Sequence, residues 1–116
     1  MHNRKGRTFG RVKKTRVALM RSLARALILE GGIETTEAKA KELRTFIEPL
    51  VTKGKTDSVA NRRLVVARLG GDAEAMTKLF NDIAPRMEGR DGGYTRVIKT
   101  MKKVSDGRKT AYIAFV

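Results

Sequence analysis

The sequence predicts an α+β domain, with about four helices packed on a small three-stranded sheet and a basic, extended N-terminal arm. Three observations predict this class. Apolar residues recur at helical spacing through the middle of the chain, glycine pairs interrupt that spacing, and the last quarter is rich in β-branched and aromatic residues. The length of 116 residues is that of one domain with one modest core.

The first helix is expected from about Thr15 to Glu30, where apolar residues recur every four positions. Its apolar stripe comprises Leu19, Met20, Leu23, Ala24 and Leu27. A helical wheel places Lys14, Arg21 and Arg25 on the opposite face. Two glycines at 31–32 then end the helix, because glycine tolerates the left-handed backbone found there.

A short strand near Ile33 is expected to lead into a second helix that reaches about Lys53. Thr36 is a plausible N-cap, and Glu37 lies in the first turn, where the helix dipole favours an anion. Pro49 falls inside this pattern and predicts a kink or an early end.

Two further helices follow, separated by the glycines at 70–71. Asp57 or Ser58 caps the third helix, and Asp72 starts the fourth, which is expected to end before Pro85. The expected inward residues are Ala60, Leu64 and Ala67 on the third helix and Met76, Leu79, Phe80 and Ile83 on the fourth.

The C-terminal part predicts a β-hairpin, with strands over 94–104 and 110–116. Asp106-Gly107 between them is a favoured hairpin turn. The second strand is apolar on both faces, so we expect it to be the central, covered strand, with the Ile33 strand completing the sheet.

Positive charge is concentrated at the two ends of the chain, whose net charge is +14. Residues 1–25 carry nine bases and no acid, residues 26–88 carry ten of each, and residues 89–116 carry seven bases and two acids. Such an excess repels itself and is typical of chains that bind a polyanion, with nucleic acid ahead of an anionic membrane. We therefore expect residues 1–13 to form a basic arm that is disordered without RNA, and residues 14–116 to form a single α+β RNA-binding domain. A tail that serves only solubility is the alternative for the arm.

The sequence lacks the residues that the common types of catalytic site require. Cysteine is absent and the one histidine, His2, lies in the arm, so neither a nucleophile–base pair nor a closed zinc site is predicted. No glycine-rich segment resembles a phosphate loop. We expect no enzyme, no cofactor, no metal and no small-molecule substrate. No signal-type or membrane-spanning apolar run occurs, so a cytoplasmic location without membrane association is expected.

Two other classes of binding protein are alternatives to a structural RNA-binding protein. A helix-turn-helix DNA regulator would place the fourth helix in the major groove, but residues 72–84 have a net charge of −2, which phosphate repels. A peripheral membrane protein would insert the apolar face of the first helix into lipid, but a domain this small needs that face for its core.

Several segments match one family in the same order along the chain. The segment 78–86 (KLFNDIAPR), followed by 92–96 (GGYTR), is the most distinctive, and 35–36, 39–44 and 60–63 also match. Over the whole chain the sequence resembles the bacterial large-subunit ribosomal protein family that is seventeenth in that subunit's series. The resemblance implies a structural component of the large subunit that binds large-subunit ribosomal RNA near the outlet of the polypeptide exit tunnel. Its implied partners are that RNA and neighbouring ribosomal proteins.

The candidate RNA-binding residues are cations of the two basic ends and of the third helix, together with one aromatic residue. Tyr94 is expected to stack on a base or to brace the loop at 90–96, whose glycines let the backbone approach a phosphate. The full set is Arg4, Lys5, Arg7, Arg11, Lys13, Lys14, Arg16, Arg21, Arg25, Arg62, Arg63, Arg90, Tyr94, Arg96, Lys102 and Lys103.

Overall fold

The computed structural model describes the backbone of residues 2–103 and 109–116 and the side chains of residues 13–100 and 109–116. The elements in chain order are α1 (His2–Glu30), β1 (Gly32–Thr36), α2 (Glu37–Gly54), α3 (Val59–Arg68), α4 (Ala73–Lys78), a π-helical turn (Leu79–Ile83), α5 (Ala84–Arg86), β2 (Thr95–Lys103) and β3 (Lys109–Phe115). Because α4, the π-helical turn and α5 follow one another without a break, four helical bodies pack on the sheet within the described ranges. The predicted α+β class is confirmed.

The sheet is antiparallel with the strand order β1-β3-β2. Ile113 of β3 pairs with Ile33 on one side and with Val97 on the other, so the last strand is central and the short strand near Ile33 completes the sheet, as predicted. The prediction that β3 is covered on both faces was wrong, because Tyr112 is exposed. The predicted turn at 106–107 lies outside the described residues.

The first helix begins well before the point that its apolar spacing indicated. Its backbone is helical from His2, whereas the sequence predicted a start near Thr15 after an extended arm. The side chains of residues 2–12 lie outside the described set. The disorder of 1–13 in the absence of RNA stays a prediction.

Side-chain caps fix the starts of three helices. Thr36 Oγ1 accepts from the Lys39 amide at 3.3 Å, as predicted for α2. Asp72 caps α4 in the same way, also as predicted. Of the two candidates for α3, Ser58 is the cap, and its Oγ accepts from the Asn61 amide at 3.1 Å.

The two prolines end neither of the helices in which they lie. Helix α2 continues through Pro49 to Gly54, so the prediction of an early end at Pro49 was wrong. The proline ring is exposed and faces away from the core. The fourth helical body continues past Pro85 to Arg86. The predicted end before Pro85 was therefore wrong, and Pro85 lies directly after the π-helical turn in a continuous helical body.

One core cluster joins α1, α2, the fourth helical body and the inner face of the sheet. Its fully buried members include Leu27, Ile28, Leu43, Ile47, Val51, Val65, Leu69, Leu79, Ile83 and Ile113. The inward face predicted for α3 was wrong. Val65 is buried, whereas Ala60, Leu64 and Ala67 are exposed, so the helix is rotated from the predicted orientation.

Candidate nucleic-acid interface

A basic groove of about 580 Å³ runs between α1 and α2 and reaches the end of α3. Its lining comprises Lys13, Arg16, Val17, Met20, Glu42, Thr45, Phe46, Pro49 and Arg68. Lys13 and Arg16 belong to the predicted RNA-binding set, and Arg16 donates to the Glu42 carboxylate. Arg68 was not predicted, because only the tertiary structure brings the end of α3 to α1. The groove therefore unites cations that are more than 50 positions apart in the sequence.

Two predicted RNA-binding arginines of α1 face the protein. Arg25 Nη1 donates to the Leu69 carbonyl at 3.2 Å, and its Nε lies 4.0 Å from Asp72 Oδ2. Arg21 is half-buried beside it, and its Nε is buried without a hydrogen-bond partner among the described residues. A cation beside the last carbonyls of α3 complements that helix dipole. The predicted outward placement of Arg21 and Arg25 was wrong, and RNA contact by either stays a prediction.

The two predicted arginines of α3 differ in their surroundings. Arg62 is engaged within the protein: it binds Asp57 with two hydrogen bonds of 2.6 and 2.8 Å, and its guanidinium lies 5.0 Å from the centre of the Phe80 ring. The hydrogen bond between them lowers the pKa of Asp57 and raises that of Arg62. Arg63 is exposed and forms no ion pair with a described residue.

The glycine-rich loop before β2 is held by a carboxylate of α2. Glu48 Oε1 accepts from the Gly93 amide, and its Oε2 accepts from the amide and the hydroxyl of Thr95, each at 3.0 Å. The loop backbone was predicted to approach a phosphate, and the structure shows that its Gly93 amide already donates to a carboxylate of the protein. Nothing in the sequence around Glu48 indicated this role, because its partners are about 45 positions away.

Tyr94 braces this loop from inside the protein. The residue is 1% exposed, and its hydroxyl lies 3.0 Å from Thr52 Oγ1. Lys55 lies 5.2 Å from the ring centre and donates to the carbonyl of Arg90. Of the two roles left open by the sequence, the structure places the ring for bracing, and base stacking on it would require the loop to open. Arg90 itself has an exposed side chain.

Of the remaining predicted residues, three have described side chains. Lys13, Lys14 and Arg96 are all exposed, and none of them forms an ion pair with a described residue. The side chains outside the described set are those of Arg4, Lys5, Arg7, Arg11, Lys102 and Lys103. RNA contact by each of these residues stays a prediction.

Five acids of the chain's middle form ion pairs with lysine or arginine side chains. Among described side chains the ion pairs are Arg16–Glu42, Arg25–Asp72, Lys41–Glu37, Arg62–Asp57, Arg86–Asp82 and Lys99–Glu37. The hydrogen bond from Lys41, with a further contribution from Lys99, lowers the pKa of Glu37. Near the two ends of the domain, Lys13, Lys14, Arg90 and Arg96 are exposed and form no ion pair with a described residue.

Within the described ranges, no group of three or more His, Asp or Glu side chains could hold a metal ion. Nor does any helix there have the length and apolar character to cross a bilayer.

Together, the fold and the unpaired surface cations define a small cationic α+β scaffold. Comparison with known proteins makes the assignment specific. The family described as Ribosomal protein L17 matches residues 19–116. Large ribosomal subunit protein bL17 of Hydrogenobaculum sp. (strain Y04AAS1) is 50% identical over 116 residues, which cover 99% of this chain and 98% of that protein.

The chain therefore belongs to the Ribosomal protein L17 family, which confirms the resemblance found in the sequence. It is a structural, non-enzymatic component of the large ribosomal subunit and takes part in translation. Its location is the ribosome.

Proposed function

We propose that this protein binds large-subunit ribosomal RNA through phosphate contacts made by its two basic ends. By neutralising phosphates, it allows RNA segments to approach one another closely. The family resemblance supports a position near the outlet of the polypeptide exit tunnel, beside other ribosomal proteins, in the cytoplasm.

The uneven distribution of acids carries the proposal. Residues 1–25 hold nine bases and no acid, whereas residues 26–88 hold ten bases and ten acids. At the two ends, Lys13, Lys14, Arg90 and Arg96 are exposed and form no ion pair with a described residue. Their charge is thus available to a partner, and phosphate is the partner expected of a ribosomal component.

Each part of the surface has a distinct role in this proposal. The arm (1–13) lies between RNA helices, and Arg16 and Arg68 at the basic groove approach the backbone of one of them. Arg90 and Arg96 contact phosphates on the side of the glycine-rich loop. Glu48 and Tyr94 hold that loop in place without contacting RNA.

The salt dependence of binding tests the phosphate contacts. Full-length protein is titrated with large-subunit RNA between 50 and 200 mM salt, and contact with six or more phosphates should weaken binding by roughly 10³-fold or more. A nearly flat response would contradict the proposal.

A matched pair of variants tests whether one particular residue, Arg90, contacts a phosphate. Arg90→Gln removes an exposed cation without an ion pair, and should reduce the slope of log affinity against log salt by about one phosphate contact. Arg86→Gln, four positions earlier, removes a cation that lies 3.5 Å from Asp82, and should leave the slope unchanged. Equal slopes for the two variants would remove Arg90 from the interface.

Deletion of residues 1–13 tests the arm. The shortened chain should still unfold cooperatively, as a folded domain does, while binding RNA poorly. Loss of folding on deletion would show that the segment is part of the core structure.

A further inference from the structure

One face of the sheet carries exposed apolar side chains. The register places Glu34 of β1, Tyr112 of β3 and Ile98 of β2 in one row across the sheet. Tyr112 is 41% exposed and Ile98 is 50% exposed, whereas Ala111 and Ile113 on the other face of β3 are fully buried. The three side chains define what we call the outer row.

The Tyr112 ring lies across the neighbouring strand. A Cβ at Gly32, diagonally opposite on β1, would overlap the Tyr112 hydroxyl and would lie 3.1 Å from Cε1 of the ring. Glycine at this position therefore lets the ring cover the backbone of β1. The hydroxyl end of the ring thus lies over Gly32, while Tyr112 as a whole is 41% exposed.

Charge is arranged asymmetrically around this ring. Arg96 precedes Ile98 by two positions on β2, so both side chains belong to the outer face, and Arg96 is exposed without an ion pair to a described residue. Glu34 lies at the opposite end of the outer row, on β1. A cation is therefore available on one side of the ring and a carboxylate on the other.

We propose that Tyr112 stacks on an unpaired base of large-subunit RNA, with Ile98 against the base edge and Arg96 on a flanking phosphate. This proposal rests on the RNA binding proposed above and adds a contact that does not depend on charge. Exposed aromatic rings on sheets bind single-stranded RNA by stacking, because every base presents a π-face. An unpaired arginine beside such a ring complements a nucleotide, since a phosphate accompanies each base.

Glu34 sets the direction of the bound strand. A phosphate on the β1 side would meet a like charge, so the RNA backbone lies on the β2 side, near Arg96. The Glu34 carboxylate can then accept a hydrogen bond from an amino group of the stacked base, but not from a carbonyl edge.

Two probes separate stacking from phosphate binding. Full-length protein is titrated with a short single-stranded oligoadenylate and with an RNA duplex of equal length. Tyr112→Ala should weaken binding to the single strand by roughly 5- to 150-fold, because stacking on an aromatic side chain is lost, and should leave binding to the duplex unchanged. Tyr112→Phe keeps the ring and should retain most of the affinity that alanine loses.

Control variants distinguish loss of stacking from loss of structure. Tyr112→Leu keeps an apolar side chain at this position without a π-face, and should bind the single strand as poorly as Tyr112→Ala. Leu64→Ala truncates a similarly exposed apolar residue on α3 and should change neither affinity. Circular dichroism confirms that each variant is folded. Single-strand binding by Tyr112→Leu at the wild-type level would overturn the proposal.

The outcomes separate this proposal from the broader one. Wild-type protein that binds neither probe in a salt-dependent manner would remove the proposed RNA binding altogether. If it binds both probes and Tyr112→Ala weakens neither, or both equally, only the stacking contact is overturned. Photocrosslinking at position 112 in assembled large subunits gives a second test: attachment to RNA supports the proposal, and attachment to a neighbouring protein overturns it.

Discussion

Glu48 is expected to be the main polar anchor between α2 and the glycine-rich loop. Its carboxylate accepts three hydrogen bonds of 3.0 Å, from the Gly93 amide and from the amide and hydroxyl of Thr95. Hydrogen bonds to a charged group contribute about 1.5–3 kcal/mol each when buried, and an unsatisfied buried donor costs about 1–3 kcal/mol. Glu48 is half-buried, and of its two partner residues Thr95 is buried and Gly93 is exposed. Solvent therefore replaces part of the lost hydrogen bonding, and we expect Glu48→Ala to lower the free energy of unfolding by about 2–4 kcal/mol in total.

Urea unfolding followed by circular dichroism measures this loss. With a denaturant slope of about 2 kcal/mol/M, the midpoint should fall by about 1–2 M. Alanine is the better helix former, so the loss cannot come from helix propensity. Glu48→Gln keeps one acceptor oxygen and should fall between alanine and wild type.

Glu42→Ala is the matched control, because Glu42 lies on the same helix and forms an exposed ion pair with Arg16. It should cost no more than about 1 kcal/mol. If Glu48→Ala and Glu42→Ala unfold at the same urea concentration, the anchoring role of Glu48 is refuted.

Two further changes test the start of α3. Ser58→Ala removes the N-cap that accepts from the Asn61 amide and should lower the free energy of unfolding by about 1 kcal/mol. Ser58→Thr keeps a hydroxyl acceptor and should retain most of the wild-type stability. An unchanged urea midpoint for Ser58→Ala would contradict the capping role. Arg62 lowers the pKa of Asp57 below its ordinary value of 3.8, so the ion pair stabilises the fold above that pH and its contribution is lost as the pH falls through the lowered pKa. The difference in unfolding free energy between wild type and Asp57→Asn should therefore be present at pH 6 and shrink below about pH 4. Asp91→Asn controls for the loss of one negative charge. A difference between wild type and Asp57→Asn that grows on acidification would refute the predicted direction of the pH dependence.

Local sequence signals predicted the helix starts because a cap side chain and the amide that donates to it are only three residues apart. Thr36 and Asp72 were predicted on this basis, and the structure confirms both. The inward face of α3, in contrast, could not be predicted. Apolar residues occur on all sides of this short helix, so periodicity does not select one.

The rotation of α3 is set by contacts outside its own pattern. The Asn61 side chain donates to the carbonyls of Lys53 and Thr56, at 3.2 and 2.8 Å, and ties the start of α3 to the end of α2. Val65 and Leu69 then face the core, and Arg62 lies over Phe80. Spacing along one helix carries no information about such contacts.

The candidate interface was predictable in its charge and unpredictable in its geometry. Counts of acids and bases located the cationic ends, but they could not show that Arg25 faces the end of α3 or that Arg68 reaches the groove. Tyr112 was missed because β3 was interpreted as apolar on both faces. The alternation of Ala111, Tyr112 and Ile113 was the signal for one solvent-facing residue between two buried ones.

The pairing of β1 with β3 has a consequence for how the protein matures. Ile33 pairs with Ile113, which is 80 positions further along the chain, whereas the caps and turns of α2 to α5 join near neighbours. Closing so long a loop is entropically costly, so helical segments are expected to form early and strand pairing late. The Tyr112 ring has no β1 backbone to lie on until that late step is complete. An RNA that recognises this ring would accordingly select fully folded molecules over collapsed intermediates of equal charge, which would let assembly itself distinguish mature from immature chains.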